Sequence, residues 1–219
     1  MKKFFVILAF MLSFSAVADV MKQVAEVQHN WAEANYELKD KAQKTRFEAL
    51  LNESDAVVKD NPDSAEALIW RGIVQSSYAG IKGGLGALGL AKAARADFEQ
   101  AMKIDDKALD GSAYTSLGTL YFKVPGWPLG FGDNDKAEDL LKKALSINPD
   151  GIDSNYFYGV FLLDQRQYKQ AEQYLLKAQQ APARPSRPLA DKGRQKEIAE
   201  ALQQVRYQLR TDQHAGIAD

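Results

Sequence analysis

The chain has 219 residues, 28 basic and 29 acidic side chains, two histidines and no cysteine. Disulfides, thiolate metal sites and cysteine nucleophiles are therefore excluded, and no basic excess suggests a nucleic-acid partner. The length is enough for one domain with a full core.

In chain order, Met1-Lys2-Lys3 is a short basic start, and Phe4 to Phe14 is nearly all apolar. Ala16-Val17-Ala18 supplies an A-x-A cleavage pattern, so residues 1–18 read as a secretory signal peptide with Asp19 as the new N-terminus. The apolar stretch is too short for a permanent bilayer span, and no lipid-attachment cysteine follows it. Cleavage removes two lysines and leaves 26 basic against 29 acidic residues, a net charge near −3. The expected location is periplasmic or secreted, with no integral membrane segment after cleavage.

Val20, Val24, Val27, Trp31, Ala34 and Leu38 follow steps of four and three, which predicts an amphipathic helix right after the cleavage site. Phe47, Leu50, Leu51, Val57 and Val58 mark a second helix, ending before Asn61-Pro62 because a residue preceding proline avoids helical angles. These form a degenerate first helix pair over 20–62. The second pair, 63–106, carries Gly72 on its first helix and Ala94, Phe98 and Ala101 on its second. The third, 107–150, carries Leu117, Gly118 and Tyr121, then Ala137, Leu141 and Ala144. The fourth, 151–183, carries Gly159, then Ala171, Leu175 and Ala178. Ala171, Leu175 and Ala178 each lie 34 residues after their counterparts in the third pair. A small residue on the first helix is expected to face an alanine on the second, letting the backbones approach.

Two pairs are interrupted. Gly72 to Ala94 is 22 residues and Gly118 to Ala137 is 19, against 12 for Gly159 to Ala171. Ten and seven residues are thus inserted, both between the two helices of a pair. The first insertion, Gly80–Gly89, contains G-x-G-x-x-G. It lacks the preceding strand and following acidic residue that dinucleotide binding needs, and is expected to be a flexible apolar loop or hairpin. The second, Lys123–Asp133, holds Trp127 between Pro125 and Pro128. Its Trp127, Leu129 and Phe131 would suit a binding surface; the commoner expectation for so large a ring is that Trp127 folds back onto the helices. Asp133 should cap the next helix.

The proline-rich segment 182–188 predicts an extended connector. Ile198, Ala201, Leu202, Val205 and Leu209 then predict a last helix that caps the open end, before a short tail. Its basic residues Arg184, Arg187, Arg194, Lys196, Arg206 and Arg210 read as a solvated face.

With the pairs laid out, residues 31–182 resemble the tetratricopeptide repeat superfamily. The implied fold is all-α, a solenoid of about four helix pairs with a C-terminal capping helix. Counting from Gly159 as the eighth repeat position, Asp153, Tyr156, Val160 and Leu163 should face the concave groove. Ser112, Thr115, Thr119 and Phe122 are their counterparts in the third pair, and Glu66, Ile69, Ile73 and Ser76 in the second. This mixed lining suits a peptide or a small amphipathic ligand, unless the C-terminal helix already fills the groove. Leu117-Gly118-x2-Tyr121-x3-Pro125, followed by Gly130-Phe131-Gly132-Asp133-x3-Ala137, further resembles the periplasmic T component of TRAP transporters. That resemblance implies a partnership with a solute-binding protein.

His29 and His214 stand near opposite ends, and no metal-ligand spacing, nucleophile elbow or acid–base set occurs. The expectation is a non-enzymatic, cofactor-free protein that binds a protein or peptide in the cell envelope. The alternatives are an accessory for a small solute and, at lower weight, an envelope hydrolase.

Overall fold

A computed structural model describes residues 2–215, with side chains described for 18–212 apart from position 85. The side chains of residues 1–17, most of the expected signal peptide, and the end of the C-terminal tail lie outside the described residues. Among those described there are nine helices and no sheet: α1 (Lys2–Tyr36), α2 (Asp40–Asp60), α3 (Ala65–Lys82), α4 (Gly84–Ile104), α5 (Ala108–Lys123), α6 (Asn134–Ile147), α7 (Ile152–Asp164), α8 (Tyr168–Gln179) and α9 (Pro188–Ala215). No described helix is long and apolar enough to cross a membrane.

The helices pack as sequential pairs, α1 with α2 through α7 with α8, and α9 covers α8. The repeated alanines Ala94, Ala101, Ala137, Ala144, Ala171 and Ala178 are all fully buried. Each glycine faces the large residue of its trio, and Gly118 also faces an alanine, its Cβ position lying 3.1 Å from the Ala137 carbonyl oxygen. A Cβ at Gly72 would sit 2.6 Å from the Phe98 ring, one at Gly118 would sit 2.8 Å from Leu141, and one at Gly159 would sit 2.8 Å from Leu175. The missing side chain is thus filled by a neighbour's bulk. Arg71 adds a polar tie in the second pair, donating to both oxygens of buried Asp97 at 2.7 and 2.6 Å.

The glycine-rich insertion is not a loop. Its residues lengthen α3 and α4, and only Gly83 and Gly84, at φ +62° and +64°, break the helix between them. Gly80, Gly86 and Gly89 are helical; the spacing of Gly84, Gly86 and Gly89 imitated a motif while the flanking apolar residues carried the helix onward.

The proline-rich connector is also not simply extended. The Arg187 amide donates to the Arg184 carbonyl at 2.9 Å, closing a turn with Pro185 in its favoured second position. Pro188 then opens α9, where its missing N–H costs nothing. Beyond capping α8, α9 returns to α1. Gly193 lacks a side chain where the Tyr36 ring lies against it, and the Tyr36 hydroxyl donates to Glu197 at 3.3 Å.

Gly118→Ala should destabilise the protein by about 1–3 kcal/mol through overpacking against Leu141. Gly89→Ala, helical with nothing within 4 Å of the new Cβ, should stabilise it by about 0.5–1 kcal/mol. Urea unfolding of both variants checks the contrast.

Candidate functional site

The concave side of α3, α5 and α7 encloses a cavity of about 820 Å³, within the roughly 300–1,000 Å³ typical of small-molecule sites. Trp70, Ile73, Ser76, Ser77 and Gly80 line it from α3, and Ser112, Thr115, Ser116, Thr119, Leu120 and Lys123 from α5. Both stripes follow helical spacing, so the cavity runs about 15 Å along each helix at 1.5 Å per residue. Three left-handed residues, Leu109, Asp110 and Gly111, precede the α5 stripe and set where Ser112 enters the groove. Only Gly111 hinted at this; a Cβ there would press on Ile147 at 3.1 Å.

The two ends of the cavity differ. At one end both insertions meet, Gly84, Ala87 and Leu88 opposite Val124, Pro125 and Leu129. At the other stand Asp153 and Phe157 from α7 with Arg187 and Arg194 from α9 and the turn before it.

The arginine end is an ion-pair network. Asp153 accepts from Arg184 Nη1 at 2.6 Å and from Arg194 Nε at 2.8 Å. Arg184 also holds Asp191 through Nε at 2.7 Å and its backbone amide at 2.6 Å, and Arg194 reaches Glu197. The Arg194 guanidinium lies 4.4 Å from the Tyr156 ring centre and 4.5 Å from that of Phe157. Burial pushes the Asp153 carboxyl up, but the guanidinia of Arg194 and Arg184 outweigh it and hold it well below the usual range. Burial likewise opposes the Arg194 charge and is overcome by Asp153. Burial raises Glu197, with Arg194 pulling the other way.

The predicted site residues separate. Ile73, Asp153 and Leu129 line the cavity, as do Ser76, Ser112, Thr115 and Thr119. Ile69 is fully buried in the core, because α3 turns that face toward its packing neighbours and not into the groove. Tyr156 lies beneath Arg194, so α9 fills the fourth-pair end of the groove and leaves the rest open. Phe122 packs edge-on against Phe161, 5.6 Å between centroids, and Leu163 is half-buried in the same core. Trp127 does not fold back: it is 90% exposed, and Leu129 is 75% exposed. Phe131 is the ring that folds back, onto Tyr121 at 5.6 Å with Arg95 over it at 5.2 Å. Arg184, Arg187 and Arg194 are not a solvated face. Nothing in their spacing separated them from surface arginines, since Asp153, the carboxylate shared by Arg184 and Arg194, is distant in sequence.

The loop itself is pinned. Gly132 donates to the Pro125 carbonyl at 2.9 Å, Gly130 to Gly126 at 3.0 Å, and Asp133 to Tyr121 at 3.0 Å. A Cβ on Gly132 would land on the Val124 carbonyl oxygen, which accounts for glycine there. Asp133 accepts from the Lys136 amide at 3.1 Å and caps α6 as expected.

Residues 129–187, covering α6 to α8, match the tetratricopeptide repeat family model. Among solved structures, a thermophilic TPR protein of Thermus thermophilus aligns at 22% identity with a TM-score of 0.53, covering 75% of this chain and 80% of that one. The fold is that of a tetratricopeptide repeat protein. MamA aligns at 20% identity and TM-score 0.43, over 81% of this chain and 99% of its own. YrrB, described as a TPR protein with an unusual peptide-binding site, aligns at 18% identity and TM-score 0.41, over 88% and 90%. None of the curated proteins matches the chain.

Asp153→Asn removes the shared counter-charge of two arginines and should cost about 3 kcal/mol at neutral pH. Because the folded pKa is depressed, the carboxylate's contribution is present above its unfolded pKa of about 3.9 and is lost as pH falls below it. Unfolding measured from pH 7 to pH 3 should therefore show a smaller acid loss in the variant than in the wild type.

Proposed function

We propose that the protein is a non-enzymatic binding scaffold of the cell envelope that engages a protein partner through the 124–132 loop at the mouth of its groove. The observation that carries this reading is the exposure of Trp127 and Leu129 on a loop fixed by its own backbone hydrogen bonds. A tryptophan held out in water forfeits burial, and one held there rigidly has its ordering cost met before a partner arrives. Aromatic anchors of this kind dominate interface energetics, and solenoids present extended concave surfaces for such contacts.

The envelope location rests on the signal-type residues 1–18. The non-enzymatic reading is supported by the pairing of Asp153, Asp191 and Asp97 with arginines. Among the described residues no three potential metal ligands cluster.

A second reading has its own observation. The cavity of about 820 Å³ has Arg194 of α9 and Arg187 in its lining, and a space of that size with charge in its wall suits a small amphipathic solute. In that case the protein is a transport accessory, and its partner is a solute-binding protein.

Crosslinking and pull-down from the native envelope, with wild type and the Trp127→Ala/Leu129→Ala double variant, tests the first reading. Capture should be lost in the variant while stability changes by no more than about 0.5 kcal/mol, as for exposed positions generally. Undiminished capture would sink the assignment of this loop.

A further inference from the structure

We propose that the groove cavity takes a small amphipathic organic anion, its acidic head held by Arg187 and its apolar chain lying along α3 and α5 toward Leu88 and Leu129. This rests on the second reading, that the cavity holds a small solute, and adds the chemistry of that solute.

Arg187 is the key residue. It lines the cavity and lies over the Trp70 ring, 5.0 Å from its centre. Its neighbours Arg184 and Arg194 are each bound to carboxylates, yet among the described residues Arg187 forms no ion pair. Its buried Nε has no hydrogen-bond partner. Trp70, only 3% exposed, also lines the cavity and leaves its buried Nε1 without a partner. A buried polar group without a partner is costly, and a buried charge more so. Arg187 brings to this end of the cavity a guanidinium that no carboxylate of the described residues pairs with, which leaves its charge for an acceptor from outside the chain.

The surrounding charge has the matching sign. The charged side chains lining the cavity are Lys123, Arg187, Arg194 and Asp153. Both oxygens of Asp153 are already engaged by Arg184 and Arg194, so its repulsion of an incoming anion is blunted. Arg187 also directly precedes α9, whose N-terminal dipole end favours negative charge. Burial and the guanidinia of Arg184 and Arg194 lower its pKa, a destabilisation that a bound anion would relieve. Carboxylates and phosphates both fit a guanidinium's paired N–H groups.

The remaining space is elongated, and apolar side chains line it together with the hydroxyls of Ser76, Ser77, Thr115, Ser116 and Thr119 and, at the far end, Lys123. From Trp70 the lining continues through Ile73 and Leu120 to Leu88, Val124 and Leu129, about 15 Å along α3 at the helical rise. Charged head-site and elongated channel are thus arranged end to end, which describes an alkyl chain with one acidic group.

Trp31 and Trp70 line the cavity and report on it by fluorescence. The test titrates delipidated mature chain with dodecanoate, dodecyl phosphate and dodecanol, each as monomer. At least one of the two anions should bind one per chain and at least tenfold more tightly than dodecanol; the tighter anion names the head group. Arg187→Met should weaken anion binding about ten- to a hundredfold, as for loss of a charged hydrogen-bonded partner. It should leave dodecanol unchanged, and Arg187→Lys should restore part of the difference. Ala87→Trp, which fills the apolar end, should abolish binding of all three.

Equal binding of anions and alcohol, with Arg187→Met indifferent, would overturn the proposal and leave the cavity as an unselective apolar site. Absence of any binding would overturn both the proposal and the solute reading. Anion binding that survives Ala87→Trp would place the ligand elsewhere and also overturn it. The comparison of head groups on wild-type protein stands by itself if Arg187→Met fails to fold.

Discussion

The arrangement of this protein depends on one charged side chain held inside it. Arg194 is only 8% exposed and is stacked on two aromatic rings of α7. It is bonded to Asp153 of α7 and Glu197 of its own helix, and Glu197 in turn accepts from Tyr36 of α1. Each of these contacts is needed because an isolated buried charge costs several kcal/mol. Satisfying it requires α1, α7 and α9 to meet at one place. That requirement turns a capping helix into a closure between the first and last parts of the repeat array, and it defines the arginine end of the groove.

The site lies where the repeat is irregular. The fourth pair, the most regular, contributes only Asp153 and Phe157 to the cavity, and its groove positions are covered by α9. The second and third pairs carry the insertions, and both insertions reach the same end of the cavity by different physical routes. One extends two helices whose small residues leave room beside the groove. The other forms a loop whose glycines permit carbonyl contacts that no side chain would allow, and so holds Phe131 in and Trp127 out.

Much of the packing was legible in the residues. Alanines at steps of seven, with a large residue between them, can be buried on only one helical face, and all six are. The facing of Gly72, Gly118 and Gly159 onto Phe98, Leu141 and Leu175 was not legible, since periodicity assigns a face and not the residue opposite. The same limit explains Ile69 and Ile73. They are four apart on one helix and share a stripe, yet one enters the core and the other the cavity, because the neighbouring helices cover only part of that stripe. Trp127 ran against the general tendency of large rings to be buried, because Phe131, four residues on, took the place beside Tyr121.

The amino-acid sequence by itself determined the helix pairs, their order, the 34-residue recurrence and the positions of both interruptions. These follow from local spacing, small-residue packing and proline or glycine breaks, which act within one or two turns of chain. Tertiary structure alone decided that Arg184, Arg187 and Arg194 face inward, that α9 returns to α1, and that a cavity remains between them. Those outcomes depend on pairing charges across long separations, Asp153 with Arg194 above all. Nothing in the neighbourhood of either residue says that the other will be its partner.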